Sequence, residues 1–388
     1  MTRGREWLAG AGLAVIGLFL GLAVLEAGVR WLRLVPDQLW EPDPVLGARH
    51  KAGKTGVWTA EEREFFVPIQ INHEGLRDVE HTYTKLPGVT RLLLLGDSFV
   101  EAFQVPLEQT LARRLQALLG NGVEVIGAGV SGYGTASEML FLKGEGLRYD
   151  PDIIVVCFFP ENDVENNSPT LEYVLPPVYD SDGRLLRVGA AKSEDVSHTE
   201  RWGGALKSYR YARGLLLGHP EIMGLLHRLG FTQAVGRHGM REHDGVPLDY
   251  WVYAPQPDAE WSAAWQHTER LFTDMRDAVA AAGRQLVVAI VPSRNQIYPE
   301  LWAETMTAYP AMGGRQWDLA GPAQRLLRWC EAQGVPCVDL TVGFRAAAAG
   351  GSPPLHFHHD GHWTAAGHQL AARLVTEFLR AHRIVPAQ

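Results

Sequence analysis

Arg91-Leu92-Leu93-Leu94-Leu95-Gly96-Asp97-Ser98-Phe99 is the stretch on which the fold turns. Its four consecutive leucines leave no polar alternation, so both faces of such a strand must meet apolar neighbours. That is the pattern of a strand buried within a parallel sheet. Gly96 closes the run and Ser98 follows almost at once, at the carboxyl edge where open α/β sheets place their ligands. A helix starting there would point its N–H groups outward, towards any anion that forms.

The rhythm repeats downstream. Leu107 to Leu119 has helical spacing. Val123-Glu124-Val125-Ile126 is a second strand, ended by a glycine-rich turn. Ser137 to Leu147 reads as a helix, and Ile153 to Phe159 as a third buried strand. Asn166 to Pro257 breaks the pattern with prolines, glycines and aromatics, and reads as an insertion or cap. The alternation then resumes: helix Ala259–Ala282, strand Gln285–Val291, helix Pro322–Gln333, strand Val335–Leu340 and helix Ala365–His382. Strands alternating with helices argue for a doubly wound α/β sheet. Residues 36–90 are a polar extension leading into it, with strand-like pieces such as Phe65 to Ile71. The fold proper covers 91–388, with the insertion at about 166–257.

The N-terminus has a different character. Trp7 to Leu25 are nineteen consecutive uncharged residues. At a rise of about 1.5 Å per residue, such a helix matches a bilayer core of about 30 Å. Val24-Leu25-Glu26-Ala27-Gly28 offers no small-x-small cleavage site, so residues 1–35 are expected to be an uncleaved signal-anchor. Arginines lie on both sides and orient the helix weakly. Across the 388 residues, 46% are hydrophobic, 21% are charged and the net charge is −8. That composition suits a globular core and speaks against nucleic acid as a partner. Three cysteines, with no Cys-x-x-Cys, exclude a disulfide scaffold; Cys330 and Cys337 could pair in an oxidising compartment or stand as thiols.

Chemistry-bearing residues cluster after the expected strands. The turn Gly127-Ala128-Gly129-Val130-Ser131-Gly132-Tyr133-Gly134 lets backbone approach a substrate and offers N–H groups. In Pro160-Glu161-Asn162-Asp163, the Asn amide can donate to an oxyanion. In His359-Asp360-Gly361-His362-Trp363, an acid two residues before a histidine can hold one ring nitrogen and leave the other as a base. Five histidines between His356 and His368 raise the alternative of a metal site, but supporting Cys or Glu patterning is thin. No metal and no cofactor are expected.

The order Ser, Gly, Asn, Asp/His resembles the SGNH (GDSL-type) hydrolase superfamily from Arg91 onward, the insertion excepted. The upstream Ile71-Asn72-His73-Glu74-Gly75-Leu76-Arg77-Asp78 is similar to a segment preceding the nucleophile in membrane-anchored bacterial members. The resemblance implies a flavodoxin-like three-layer sandwich around a parallel sheet. It implies Ser98 as nucleophile, His362 as base and Asp360 as orienting acid. The oxyanion donors would be the N–H groups of Ser98 and Gly132 and the Asn162 amide. Asp97, Tyr133, Arg294 and Trp363 are candidate substrate contacts. Two positions depart from the family pattern: His359 stands where many members have the acid, and Gly127 stands where an Asn often opens the second block. The Asp-x-His-Trp form is similar to that of bacterial polysaccharide O-acetyltransferases.

Three functions follow as expectations. The first is a serine ester hydrolase acting on acylated envelope glycans or lipids. The second is an O-acyltransferase that passes the acyl group to an envelope polysaccharide. The third is a carbohydrate-binding subunit whose site no longer turns over. Separately, the insertion's Trp202, Tyr209, Tyr211, Trp251 and Tyr253 could supply stacking surfaces for sugars or serve as simple core. The expected place is a bacterial inner membrane, single-pass, with the catalytic domain outside the cytoplasm. The expected partners are a small-molecule or glycan ester and the membrane; oligomeric state stays open.

Overall fold

The leucine run forms strand β1 (Thr90–Gly96), with Leu92 to Leu95 all at 0% exposure. The structure, a computed structural model, describes residues 2–60, 63–172, 175–189, 206–217, 222, 225 and 242–385. Strands β2 (Val123–Gly129), β3 (Ile153–Phe158), β4 (Gln285–Ile290) and β5 (Cys337–Asp339) join β1 in a five-stranded parallel sheet of order β5-β4-β3-β1-β2. β1 lies between β2 and β3, with Leu94 opposite Gly127 on one side and Val155 on the other. A strand in the middle of such a sheet has no solvent face, which explains its unbroken apolar sequence.

Alternate residues then feed two cores. Leu92, Leu94, Val125, Val155 and Val287 pack with helices Leu111–Leu119 and Ala365–Ala381. On the opposite face Phe158 meets Trp265 and Phe272 of helix Ala259–Ala281. The result is the three-layer α/β sandwich that the resemblance implies, built on the parallel sheet that the alternation of strands and helices predicts.

Local chemistry shifts several boundaries. The helix expected over 107–119 splits: Leu107–Gln109 is a short 3-10 turn after Pro106, and Thr110 caps a new helix by accepting the N–H of Arg113. The helix expected over 137–147 runs Thr135–Gly144 and gives way to a 3-10 turn, Gly146–Tyr149. The last strand shrinks to three residues because the Val335 N–H closes back on Cys330 and Pro336 has no N–H to give. Cys330 and Cys337 stand as neighbouring thiols, and the hydrogen bond of the Cys337 thiol to Cys330, with burial, pushes the Cys337 thiol up.

By contact the chain divides into two compact units: 38–58, 64–191 and 242–388 in one, and 1–37, 59–63 and 192–241 in the other. The sheet belongs to the first, which also takes in most of the 36–90 extension. In the second, helix Thr2–Trp31 outlasts the apolar run because Glu26 and Arg30 form an i,i+4 ion pair at 2.6 Å. Its stretch Gly10–Trp31, 22 residues or about 33 Å at 1.5 Å each, is long and apolar enough to cross a bilayer. The Glu26 carboxylate accepts the N–H groups of Lys207 and Ser208, which open helix Lys207–Leu217. Of the insertion's aromatics, Trp202 lies outside the described residues, while Trp251 and Tyr253 are buried core.

Candidate active site

Ser98 opens a one-turn helix, Ser98–Glu101, capped by the Asp97 carboxylate, which accepts the Phe99 N–H at 2.9 Å. Asp97 is fully buried and points away from solvent. Its other oxygen accepts the Asn162 amide at 3.0 Å, tying the ends of β1 and β3 together. Burial holds the Asp97 carboxyl above the usual range, against the pull of Phe99 and Asn162. Asn162 sits in helix Pro160–Asn166, which starts on a proline just past β3.

The loop before the last helix brings the imidazole in. His362 Nε2 lies 2.8 Å from Ser98 Oγ, and His362 Nδ1 lies 2.7 Å from Asp360 Oδ1. The loop is held from two sides. The Glu64 carboxylate accepts the N–H groups of His358, His359 and Asp360 at 2.8–3.1 Å. The Arg294 guanidinium donates to the carbonyls of His358 and His359. Burial pulls the His362 imidazole down, but the hydrogen bond and charge of Asp360 outweigh it and leave it raised above its ordinary value. Burial pushes Asp360 up, and His362 more than offsets this, leaving the carboxyl below its ordinary range. A carboxylate, an imidazole and a hydroxyl in this row can move a proton off the hydroxyl.

The second block supplies the facing wall. Val130 to Tyr133 form a turn closed by Tyr133 N–H to Val130 C=O at 3.1 Å, with Gly132 at φ +81°. An L side chain would be strained there, so glycine is required by conformation. Among the described residues the N–H groups of Ser98 and Gly132 have no acceptor. At Gly127, where the resemblance would often place an Asn, packing requires glycine: a Cβ there would meet Ala112 Cβ at 2.9 Å. Its N–H is instead held by Asp78 at 2.7 Å, and Asp78 is in turn paired with Arg113 and His81.

Three of the four expected substrate contacts are buried in the structure. Trp363 is fully exclusive to the core, at 0% exposure between Phe99, Phe344 and His368. Tyr133 is 1% exposed and donates its hydroxyl to the Ala48 carbonyl. Both are too large and apolar to be left in solvent at a turn, and the folded chain uses them as wedges. Asp97 likewise is buried and accepts the Asn162 amide; Arg294 alone of the four keeps partial exposure. Of the five histidines, burial drives His356 and His368 down to about 3, so both are neutral core groups. Among the described residues no three His, Cys, Asp or Glu side chains gather as metal ligands.

Sequence reasoning missed Glu64, Asp78 and Glu161. Glu161 precedes Asn162 on the sheet edge, hydrogen-bonds the Tyr253 hydroxyl at 2.8 Å, and is pushed up to about 7 by burial. Its position beside an expected donor was the available signal; Glu64 gave none.

Comparison with known proteins finds likeness in part of the chain. Residues 248–388 match the family described as the SGNH hydrolase-like domain of acetyltransferase AlgX. The probable alginate O-acetylase AlgJ of Azotobacter vinelandii is 26% identical over 144 residues, 36% of this chain and 34% of that protein. The chain thus spans about a third of that relative's length. A GDSL-like lipase structure from Bacteroides thetaiotaomicron is 12% identical with a TM-score of 0.36, covering 76% of this chain and 89% of the other. A catalytic mutant of an acetylxylan esterase from Geobacillus stearothermophilus is 10% identical with a TM-score of 0.39, covering 76% and 96%.

Proposed function

We propose that this SGNH hydrolase-like chain is a serine ester hydrolase acting through an acyl-enzyme on Ser98, with acylated glycans or lipids of the cell envelope as substrates. The observation that carries the reading is the row Ser98 Oγ, His362, Asp360 at 2.8 and 2.7 Å, with the N–H groups of Ser98 and Gly132 left without an acceptor among the described residues. Ser98 Oγ attacks the ester carbonyl carbon while its proton passes to His362 Nε2. The resulting oxyanion is met by the N–H groups of Ser98 and Gly132, and by the second amide hydrogen of Asn162. Collapse expels the alkoxide, which takes the proton back from His362. Water then attacks the acyl-enzyme by the same route in reverse. Losing one oxyanion donor typically costs about 10²–10³ in turnover.

A second reading is favoured by the likeness of the C-terminal region to AlgX and AlgJ: the acyl group leaves to a sugar hydroxyl instead of water. In both readings Gly10–Trp31 anchors the chain in a bacterial inner membrane and the sheet unit lies outside the cytoplasm. The test uses the full chain in detergent with p-nitrophenyl acetate. Nitrophenol release and fluorophosphonate labelling, both lost in Ser98→Ala, are expected. Labelling that persists in Ser98→Ala would end the assignment. External protease that leaves the sheet unit intact in spheroplasts would end the topology.

A further inference from the structure

Glu101 closes the one-turn helix that Ser98 opens, and it is 2% exposed. Its carboxylate collects four donors. Ser131 gives both its N–H, at 3.1 Å, and its hydroxyl. Trp40 Nε1 donates at 2.9 Å, and His50 Nε2 stands 2.6 Å away. His50 Nδ1 faces the Gly75 carbonyl at 3.0 Å, so the ring is held at both nitrogens. Phe103, Trp40 and Trp58 enclose the group, their rings 5.1–5.6 Å apart. Arg77 reaches the carbonyls of Glu101 and Val105 from the same side.

Ser131 immediately precedes Gly132, so the residue clamped by Glu101 sets the peptide plane whose N–H is left for a substrate. A carboxylate bonded to both the amide and the hydroxyl of one residue fixes that residue's orientation more tightly than a single bond does. The clamp and the nucleophile share one helical turn, so their spacing cannot drift independently. Two of those donors, Trp40 and His50, come from residues 38–58, part of the segment that sequence alone reads as an extension leading into the fold.

We propose that Glu101 is a positioning residue for the oxyanion turn, and that His50 and Trp40 make the segment before the sheet a working part of the site. The proposal rests on the esterase reading, and its test separates the two. The oxo ester p-nitrophenyl acetate and its thiono analogue are compared, because sulfur accepts hydrogen bonds poorly and gains little from oxyanion donors. Glu101→Gln is expected to lower kcat for the oxo ester about 10–100-fold with KM unchanged. The thiono rate should change little, so the oxo-to-thiono ratio shrinks. Ser131→Ala, which keeps the N–H bond, should lose less, and it covers the case in which Glu101→Gln does not fold. An equal fall for both esters, or a kcat within twofold of wild type, overturns the proposal. Amide exchange of residues 130–133 reads the clamp without catalysis: it should accelerate at least tenfold in Glu101→Gln or Ser131→Ala, and unchanged exchange overturns the clamp even if wild type turns over neither ester. Wild-type inertness alone sinks the esterase reading and leaves the exchange result to decide the clamp.

Discussion

Replacing Asp360 with Asn should remove charge and leave geometry. Asp360 Oδ1 accepts from both the ring Nδ1 at 2.7 Å and the backbone N–H of His362 at 3.2 Å. An Asn keeps both bonds by leaving its oxygen there. Its new NH₂ then faces Gln104, whose Oε1 has no partner and can turn to accept it. The imidazole therefore keeps its tautomer, and what is lost is the attraction between a carboxylate and the imidazolium that forms during attack. At about 4 Å and an effective dielectric near 20 that attraction is about 4 kcal/mol, or about 10³ in rate. A tautomer switch would cost nearer 10⁴. The sign of the pH effect is fixed as well. Asp360 raises the His362 imidazole above its ordinary value. Without that charge the group loses its proton at lower pH, and the acid limb of kcat/KM moves down. The assay is kcat/KM for p-nitrophenyl acetate from pH 4.5 to 8.5, with thermal unfolding as control. A loss under tenfold, or an acid limb that stays put or moves up, would refute the role given to Asp360.

Other perturbations have expected outcomes of their own. Gly132→Ala meets open space, with Leu175 3.9 Å away, so the φ of +81° sets its cost: about 1–2 kcal/mol in thermal unfolding, with a larger relative loss in kcat as the turn relaxes. Glu64→Ala strips the acceptor from three loop N–H groups and should lower kcat at least tenfold while KM holds; an unchanged kcat would show the loop is held by Arg294 alone. His368 is held near 3 by burial, so its unfolded form takes a proton first as pH falls below about 6.5. That costs stability progressively down to about 3, at up to about 1.4 kcal/mol per pH unit. His368→Gln should therefore flatten the denaturant-derived stability curve relative to wild type across that window.

The parts of the fold legible in the sequence are those decided by one segment's own pattern. Leu92 to Leu95 can lie only between two neighbours in a sheet, and Ile153 to Phe158 has the same character. The turn that needs a positive φ declares itself by Gly132. What the sequence did not disclose depends on pairing across long separations. Glu64 serves a loop almost three hundred residues away, and His50 and Trp40 serve a carboxylate fifty to sixty residues on. No periodicity encodes such partners. Trp363 misled for a related reason: beside a candidate base histidine an aromatic suggests a substrate platform, but its burial depends on Phe344 and Phe99, which arrive from elsewhere.

Hydrolysis and transfer share each step up to the acyl-enzyme, so nothing about Ser98, His362 or Asp360 separates them. The difference lies in what meets the acyl carbonyl second. A sugar hydroxyl held in register acts at an effective molarity of about 10⁵–10⁸ M, and bulk water cannot compete with that. A chain with a real acceptor site should divert nearly all its acyl groups, and one without should divert few. The decisive quantity is therefore a ratio: free acetic acid against nitrophenol released from p-nitrophenyl acetate, with rising concentrations of de-acetylated glycan. Hydrolysis keeps that ratio at unity throughout. Transfer lowers it by the amount of acetyl recovered on the glycan, and a fall below one half would replace the hydrolase reading with the transferase one. Slow nitrophenol release with the ratio still at unity would instead mean that the glycan blocks the cleft.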